Sequence, residues 1–497
     1  MKKILIFIFV LTMGASFSLN AQTISDALRF SRFEPFGTAR NMGLGGTLYI
    51  TGGDMSGIAL NPAGVATFRK SRISFSIGNS TVQTESSFAG NSGSAVKSIT
   101  GLHNIGLVSV NKPVGSDWKT INFSVNFIPL ANFNQPFTYG GKTPGSISDR
   151  WLEQSLGRSP DQFNPFEEGL GANAGVLVLL DSTNWTYTTD YQDYNHGKKL
   201  YKKENIITRG ALNRLNISFG GNYREKLQIG LGLNVNFLQY NAFKDYEEDA
   251  LNDYGINYFK SLRLKDTLTT NGSGLSLNLG AIYRPVHPVF LSLAIETPTF
   301  WTLNDSYSRS LYYTYEESNG GTQFGEAKSP LGSFEYALKT PLRFNLGGAY
   351  IFGKRAMMLA GIEWTHYGNA RFDLVKNSSD PGDLEYQKTL NTDLKDAYSS
   401  SFKYNLGTEL GWRFLRLRGG LNFFQRPYAN DRGFDSSWSW GIGVNSDYFF
   451  IDFSMLSYHR KSGYVPYLTK NKEVFPTQLV KLSTSQVNYC LTAGFRF

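Results

Sequence analysis

The strongest constraint on this chain is a period of two. From about Arg72 onward, apolar residues alternate with polar or small ones, as they do in strands whose two faces meet different surroundings. Leu227, Ile229, Leu231, Leu233, Val235 and Phe237 share one face, and Gln228, Gly230, Gly232, Asn234 and Asn236 share the other. Leu275, Leu277, Leu279, Ala281 and Tyr283 repeat the pattern against Ser276, Asn278 and Gly280. So do Trp438, Trp440, Ile442 and Val444, and the segment from Val487 to Phe497.

Two settings produce such alternation. In a sandwich the apolar face packs on a core, and in a transmembrane barrel it meets lipid while the polar face meets the lumen. Three features favour the barrel. The segments are about 10 residues long, the length of a tilted strand crossing a bilayer. Their polar faces hold Gly, Asn and Ser with occasional Arg or Glu, which suits a lumen. Aromatics such as Tyr223, Tyr283, Tyr350, Trp364, Trp412 and Trp438 stand at segment ends, where an interfacial girdle lies. The expectation is an all-β fold, a transmembrane antiparallel β-barrel of about 14 strands. These fall near 71–83, 102–111, 119–133, 209–224, 226–240, 272–284, 288–298, 339–351, 355–369, 401–413, 415–426, 437–445, 448–458 and 484–497. Alternate connections are very short, as at Arg224–Lys226, Phe352–Arg355 and Phe414, while the others run up to the large 134–208 segment. Short periplasmic turns and long extracellular loops alternate in this way in outer-membrane barrels, and an even strand number puts both strand ends on the periplasmic side. The 299–338 connection has room for a further strand pair around Ser310–Glu317.

A helical membrane protein is excluded, because a spanning helix needs about 20 consecutive apolar residues and the only long apolar run is Ile4–Leu11. Lys2 and Lys3 precede that run and small and polar residues follow it, so residues 1–21 read as a signal peptide cleaved after Ala21. Residues 22–69 then form an N-terminal segment and 70–497 the barrel. A lone Cys490 excludes a disulfide framework and a cysteine zinc site. The net charge is +9, but the basic residues form no run, so nucleic acid is not an expected partner.

The N-terminal segment does not alternate. It contains Gly37-Thr38-Ala39-Arg40-Asn41-Met42-Gly43-Leu44-Gly45-Gly46, then Gly52-Gly53-Asp54, then Asn61-Pro62-Ala63-Gly64. A dinucleotide loop fails, since Leu48 stands where the third glycine belongs and no βαβ unit follows. Two readings remain: a series of tight turns leading into the barrel, or a compact plug in the lumen, where glycine and Asn-Pro turns permit sharp reversals. These residues resemble the N-terminal hatch of the FadL/TodX outer-membrane transporters. The likeness rests on Gly43, Gly45, Gly46, Gly53, Asp54 and above all Asn61, Pro62, Ala63 and Gly64. The length, the strand count and an aromatic Phe497 accord with it. The resemblance implies a monomeric, hatch-plugged barrel among outer-membrane lipids that moves hydrophobic small molecules such as long-chain fatty acids. The glycine-rich spelling is similar to that of Bacteroidetes members. Those include protein-binding barrels that act as secretion shuttles or as scaffold components of larger outer-membrane complexes, which is the alternative function.

Enzyme chemistry finds no support. His103, His196, His287, His366 and His459 are scattered, and Glu363 and His366 point to opposite sides of a strand, so no metal or cofactor is expected. Arg214, Glu296, Arg343, Glu363, Glu409, Arg416, Arg418, Asp452 and Arg496 lie on the polar parity of strands. An arginine facing lipid at the midplane costs about 2–4 kcal/mol, so these charges are expected to face the lumen, as braces or as ligand-steering groups. Within 134–208 a short helix is expected at Trp151–Gly157, and Asp245–Asp253 reads as solvated loop. Pro129 removes a ladder donor in the third strand and is a candidate wall kink. A position at the strand's outer end, above the membrane, is the alternative.

Overall fold

The computed structural model describes residues 24–251, 255–353, 355–374, 381–469 and 478–497. The expected signal peptide lies outside the described residues. Fourteen strand positions close into one antiparallel ring. In order these are β1 (Arg72–Phe88), β2 (Asn91–Asn111), β3 (Trp118–Asn132, continued by Gln135–Pro144), β4 (Lys199–Tyr223), β5 (Leu227–Asp249) and β6 (Phe259–Tyr283). Next come β7 (Val289–Glu296, continued by Phe300–Glu316), β8 (Gly332–Lys339 and Arg343–Phe352), β9 (Ala356–His366, with Arg371–Asp373) and β10 (Ser400–Trp412). The last four are β11 (Leu415–Gln425), β12 (Phe434–Asn445), β13 (Phe449–Tyr464) and β14 (Val480–Arg496). Pairing of β14 with β1, Arg72 opposite Arg496 and Ser87 opposite Lys481, closes the barrel.

The wall is apolar outside and polar inside, the reverse of a soluble protein. On β5, Ile229, Leu231 and Leu233 are exposed, whereas Asn234 and Asn236 are fully buried. From Leu227 to Phe237 the outer face stays apolar. Ten steps of about 3.3 Å, tilted by about 40°, give a band about 25 Å tall, the thickness a bilayer requires. Tyr283, Tyr350 and Trp412 edge this band beside the short turns, all of them exposed.

The strands run further outward than the alternation indicated. Above the apolar band, β4 to β6 carry charges on the same face, and Arg263 on β6 holds Asp245 on β5 at 2.8 and 2.6 Å. The solvated-loop reading of Asp245–Asp253 is therefore corrected: Asp245–Asp249 belong to β5, and Glu248 is buried, accepting from Ser146 Oγ at 2.5 Å and Ile147 N at 2.8 Å. Residues 252–254 lie outside the described residues. Strand periodicity continued here, but its charged face hid it. In the 299–338 connection, Phe300–Glu316 forms a hairpin with Thr322–Lys328, the strand pair expected around Ser310–Glu317. Pro298 and Pro341 interrupt β7 and β8 side by side, because neither has an N–H for the ladder. Thr340 N donates to Thr299 O across the break at 3.0 Å.

The outer mouth is covered by loop structure. A helix at Ile147–Ser155, rather than Trp151–Gly157, starts where Ser146 and Asp149 form a capping box. It buries Trp151 against Leu170, Tyr187 and Tyr191 of the same loop and the outer parts of β5 to β7. The helix Pro381–Ala397 packs Leu390 and Leu394 near the N-terminal helix Ile24–Arg29.

Candidate functional site: hatch, cavity and wall opening

The segment from Ile24 to Phe68 occupies the barrel interior as short turns of helix, none longer than six residues. Three of these turns are capped by side chains of the same segment. Thr38 accepts from Asn41 N at 3.3 Å, and Asp54 accepts from Ser56 N at 2.9 Å and from Thr38 Oγ1 at 2.7 Å. Asn61 accepts from Ala63 N at 3.0 Å, with Pro62 at the first helical position. Gly45, Gly46, Gly52 and Gly53 all hold left-handed backbone, and at Gly52 a methyl group would meet Gly64 Cα at 2.7 Å.

Such irregular backbone leaves carbonyls without partners, and buried carbonyls must be satisfied. The wall supplies the donors. Asn122 Nδ2 donates to Val65 O at 2.8 Å and Phe68 O at 3.0 Å, and Asn126 Nδ2 to Met55 O at 2.8 Å. Asn278 Nδ2 donates to Ala59 O at 2.8 Å and Thr120 Oγ1 to Ala66 O at 2.8 Å. Asn61 Nδ2 ties the hatch inward and outward at once, donating to Tyr49 O at 3.0 Å and to Ser292 Oγ on β7 at 2.9 Å. Wall glycines give the hatch room. A methyl group on Gly280 would lie 1.9 Å from Asn61 Oδ1, on Gly230 2.3 Å from Pro62 C, and on Gly420 2.4 Å from Gly45 N. Strand glycine commonly marks close approach of another backbone, and here that backbone is the hatch.

Most of the expected lumen charges pair. Arg214 pairs with Glu296 and also donates to Ala59 O at 3.2 Å. Arg343 pairs with Glu363 at 2.6 Å and donates to Ser31 O at 2.8 Å. Arg418 joins Glu409 at 2.7 Å to Asp452 at 2.6 Å, and the hatch residue Arg40 completes the group at 3.1 Å from Glu409. Two expectations are corrected. Arg496 braces the neighbouring turn through Ser446 O and Asn445, and Arg416 donates to Arg413 O and Leu415 O at 2.8 Å. Both stand where the strands meet the short turns, so carbonyls of the turn rather than lumen carboxylates are within reach. The pairing of Arg40 with Glu409, and the role of the asparagines at inward parity as donors to the hatch, were not among the sequence expectations. Asn122, Asn126, Asn216, Asn234, Asn278, Asn405 and Asn422 recur at that parity and were the available signal.

Above the hatch lies a cavity of about 510 Å³, between the helix Ile24–Arg29 and the wall. Rings of Tyr240, Phe133 and Phe137 meet it. Its lining has seven basic residues against four acidic ones, so its field favours an anion. Arg29 sits 4.3 Å over the Tyr240 ring, and Arg309 is held by Asp266 at 2.9 Å and Glu167 at 3.1 Å. A slot of about 210 Å³ near Arg150 and Leu468 shares Lys244, Asp266, Arg309 and Tyr464 with the cavity and leads outward. Among the described residues no three metal-ligating side chains cluster.

The wall is discontinuous beside this cavity. β2 pairs with β3 only from Ile105↔Phe127 to Asn111↔Ile121. Further out, β2 pairs with β1 and β3 with β4. The register of β3 shifts between Pro129 and Ala131, so that Leu130 and Ala131 both turn inward. Beyond it the chain leans over the lumen, where Gln135 Nε2 donates to Thr484 Oγ1 of β14 at 2.9 Å. Gly101, on the inward parity of β2, faces open space. Below the opening, His103 is bulged and buried in the room left by Gly78, its ring 5.5 Å from hatch Phe36.

Comparison with known proteins finds no matching protein-family model and no matching curated protein. Among solved structures, that of a Pseudomonas aeruginosa FadL homologue superposes with a TM-score of 0.57 at 12% identity, covering 94% of this chain and 100% of that one. The chain has the FadL fold. The Ralstonia pickettii toluene transporter TbuX matches at 13% identity with a TM-score of 0.50, over 95% of this chain and 100% of its own. With its apolar outer band, the FadL fold here is that of an outer-membrane barrel.

Proposed function

We propose that this barrel admits hydrophobic small molecules with an anionic head, of the long-chain fatty acid kind, across the outer membrane. The single observation that carries the reading is the cavity between hatch and wall, which adjoins the β2–β3 opening through Val82 on β1 and Asn132 on β3. A ligand entering by the outer slot places its chain against the Tyr240 and Phe133 rings and its head among the arginines. Each buried CH2 contributes about 0.8 kcal/mol, so a long chain can favour a rearranged hatch if only that state has room for it. Exit is sideways, past Pro129, into the membrane. The P. aeruginosa protein is described as a FadL homologue and TbuX as a toluene transporter, which accords with this class of cargo. The test is uptake of labelled oleate and toluene into cells without other routes. Loss of uptake on deletion of the protein, restored by the intact gene, supports the reading, and uptake indifferent to the protein refutes it.

A second reading, a partner-binding scaffold, is favoured by one observation. Val178, Leu179, Leu180 and Phe324 are exposed apolar residues on the outer loops. Mild-detergent purification with mass spectrometry separates the two: stoichiometric partner proteins favour the scaffold, and bound lipid without partners favours transport.

A further inference from the structure

The short-turn end of the barrel carries a charge imbalance that nothing in the hatch or cavity uses. Its only acidic residues among the described turns are Asp117, Glu225 and Asp447. Two of them are occupied: Asp117 holds Arg224 at 2.7 Å, and Glu225 holds Arg69. Among the described residues, Lys112, Lys119, Lys226, Arg355 and Arg413 remain exposed with no carboxylate at salt-bridge distance. At the opposite end, acidic residues accompany basic ones, as in Lys260–Glu316 at 2.5 Å and Lys328–Glu326 at 2.9 Å.

The distribution of the five identifies what they face. They lie at the β2–β3, β4–β5, β8–β9 and β10–β11 turns, so they surround the barrel rather than mark one side of it. Exposed aromatics sit beside them: Phe352 near Arg355, Trp412 and Phe414 flanking Arg413. Aromatic rings at the level of lipid headgroups, with basic side chains just beyond, are the anchors of a membrane–water interface. A protein docked on the barrel would cover one side or the pore end, whereas lipids form a ring. We propose that this rim binds the anionic headgroups of phospholipids in the periplasmic leaflet, with Lys112, Lys119, Lys226, Arg355 and Arg413 as the contacting cations. The usual attraction of a basic side chain to an anionic membrane surface corresponds to about fivefold enrichment at each site.

The test uses the full protein in vesicles or nanodiscs of mixed phosphatidylcholine and phosphatidylglycerol, with retained lipids counted by native mass spectrometry. The unaltered protein should retain phosphatidylglycerol about fivefold over its bulk share. A variant carrying K112Q, K119Q, K226Q, R355Q and R413Q should lose that preference while keeping the heat-dependent gel mobility of a folded barrel. Salt gives a second arm that needs no variant. At about 1 M the screening length falls to about 3 Å, and the preference should vanish. Equal retention of both lipids by the unaltered protein, selectivity that persists in high salt, or a folded variant that keeps it overturns the proposal. So does an acidic periplasmic protein that co-purifies through these residues in the absence of lipid selectivity.

Discussion

Asn61→Ala isolates the hatch from the wall more cleanly than any other single change. The residue is completely buried and its side chain makes three hydrogen bonds, to Ala63 N, Tyr49 O and Ser292 Oγ. Tyr49 O keeps a second donor in Ser292 Oγ at 3.1 Å, so it is not orphaned. Ala63 N–H loses its side-chain acceptor. Losing this cap leaves the buried Ala63 N–H unsatisfied, which costs about 1–3 kcal/mol. The seated hatch is destabilised by that amount, while the strand ladder is untouched. The displaced-hatch population then rises by roughly 5- to 140-fold, because about 1.4 kcal/mol is a factor of ten in an equilibrium. Two assays read this. Hydrogen exchange of the amides around Leu48 and Ala63 should accelerate by that factor, while amides of β5 and β6 stay protected. Planar-bilayer recordings should show brief openings at a correspondingly higher frequency. If exchange in the hatch is unchanged, the wall–hatch hydrogen bonds do not hold it in place. If the barrel amides accelerate equally, the hatch is not a separately opening unit.

Glu409→Ala removes the acceptor shared by Arg40 and Arg418; with Arg418 keeping Asp452, Arg40 bears most of the loss, about 2–4 kcal/mol of hatch stability, again read by exchange of residues 38–46. Deleting residues 22–64 should convert a silent barrel into a steadily conducting one, and a folded deletion that conducts no more than the intact protein refutes the plug. Pro129→Ala restores a ladder donor and should narrow the wall opening, lowering oleate uptake with no loss of barrel stability in thermal unfolding. Burial pushes the carboxyl of Asp149, in the outer loop, up to about 7, and its Oδ1 has no partner. The folded loop therefore holds a proton that the unfolded loop releases near pH 4. Its stability is greatest below that range and falls as pH rises toward 7, which fluorescence of the fully buried Trp151 should follow. Asp149→Asn should flatten this dependence.

The membrane-crossing part of each strand was legible because lipid imposes a strict alternation. Leu227 to Phe237 could face only one way. The outer extensions were not, because there both faces meet water or loop, as at Asp245 and Arg263, and charge replaces the apolar signal. The hatch was recognisable from Asn61-Pro62-Ala63-Gly64, since caps and reversals demand particular residues. Its attachment was not, because the partners are a few side chains from about 50 to more than 400 positions away. Gly230 reads as an ordinary small lumen residue until Pro62 is found against it. The charge pairs divide in the same way: parity placed Arg343 and Glu363 on the same side of the wall, but only register brings them within 2.6 Å. Arg496 shared their parity and still reached to the neighbouring β12–β13 turn, because parity says nothing about height along the barrel axis.

The bond from Ala39 N to Thr492 Oγ1, at 2.7 Å, spans 453 residues. It sets an order of events during biogenesis. The hatch is made first, yet part of its anchorage, Glu409 on β10 and Thr492 on β14, lies on strands made late, and contacts between such distant positions form late. An isolated peptide of the hatch should therefore have no structure of its own. The sheet must close around a loosely held N-terminal segment, which sets only once β14 has met β1.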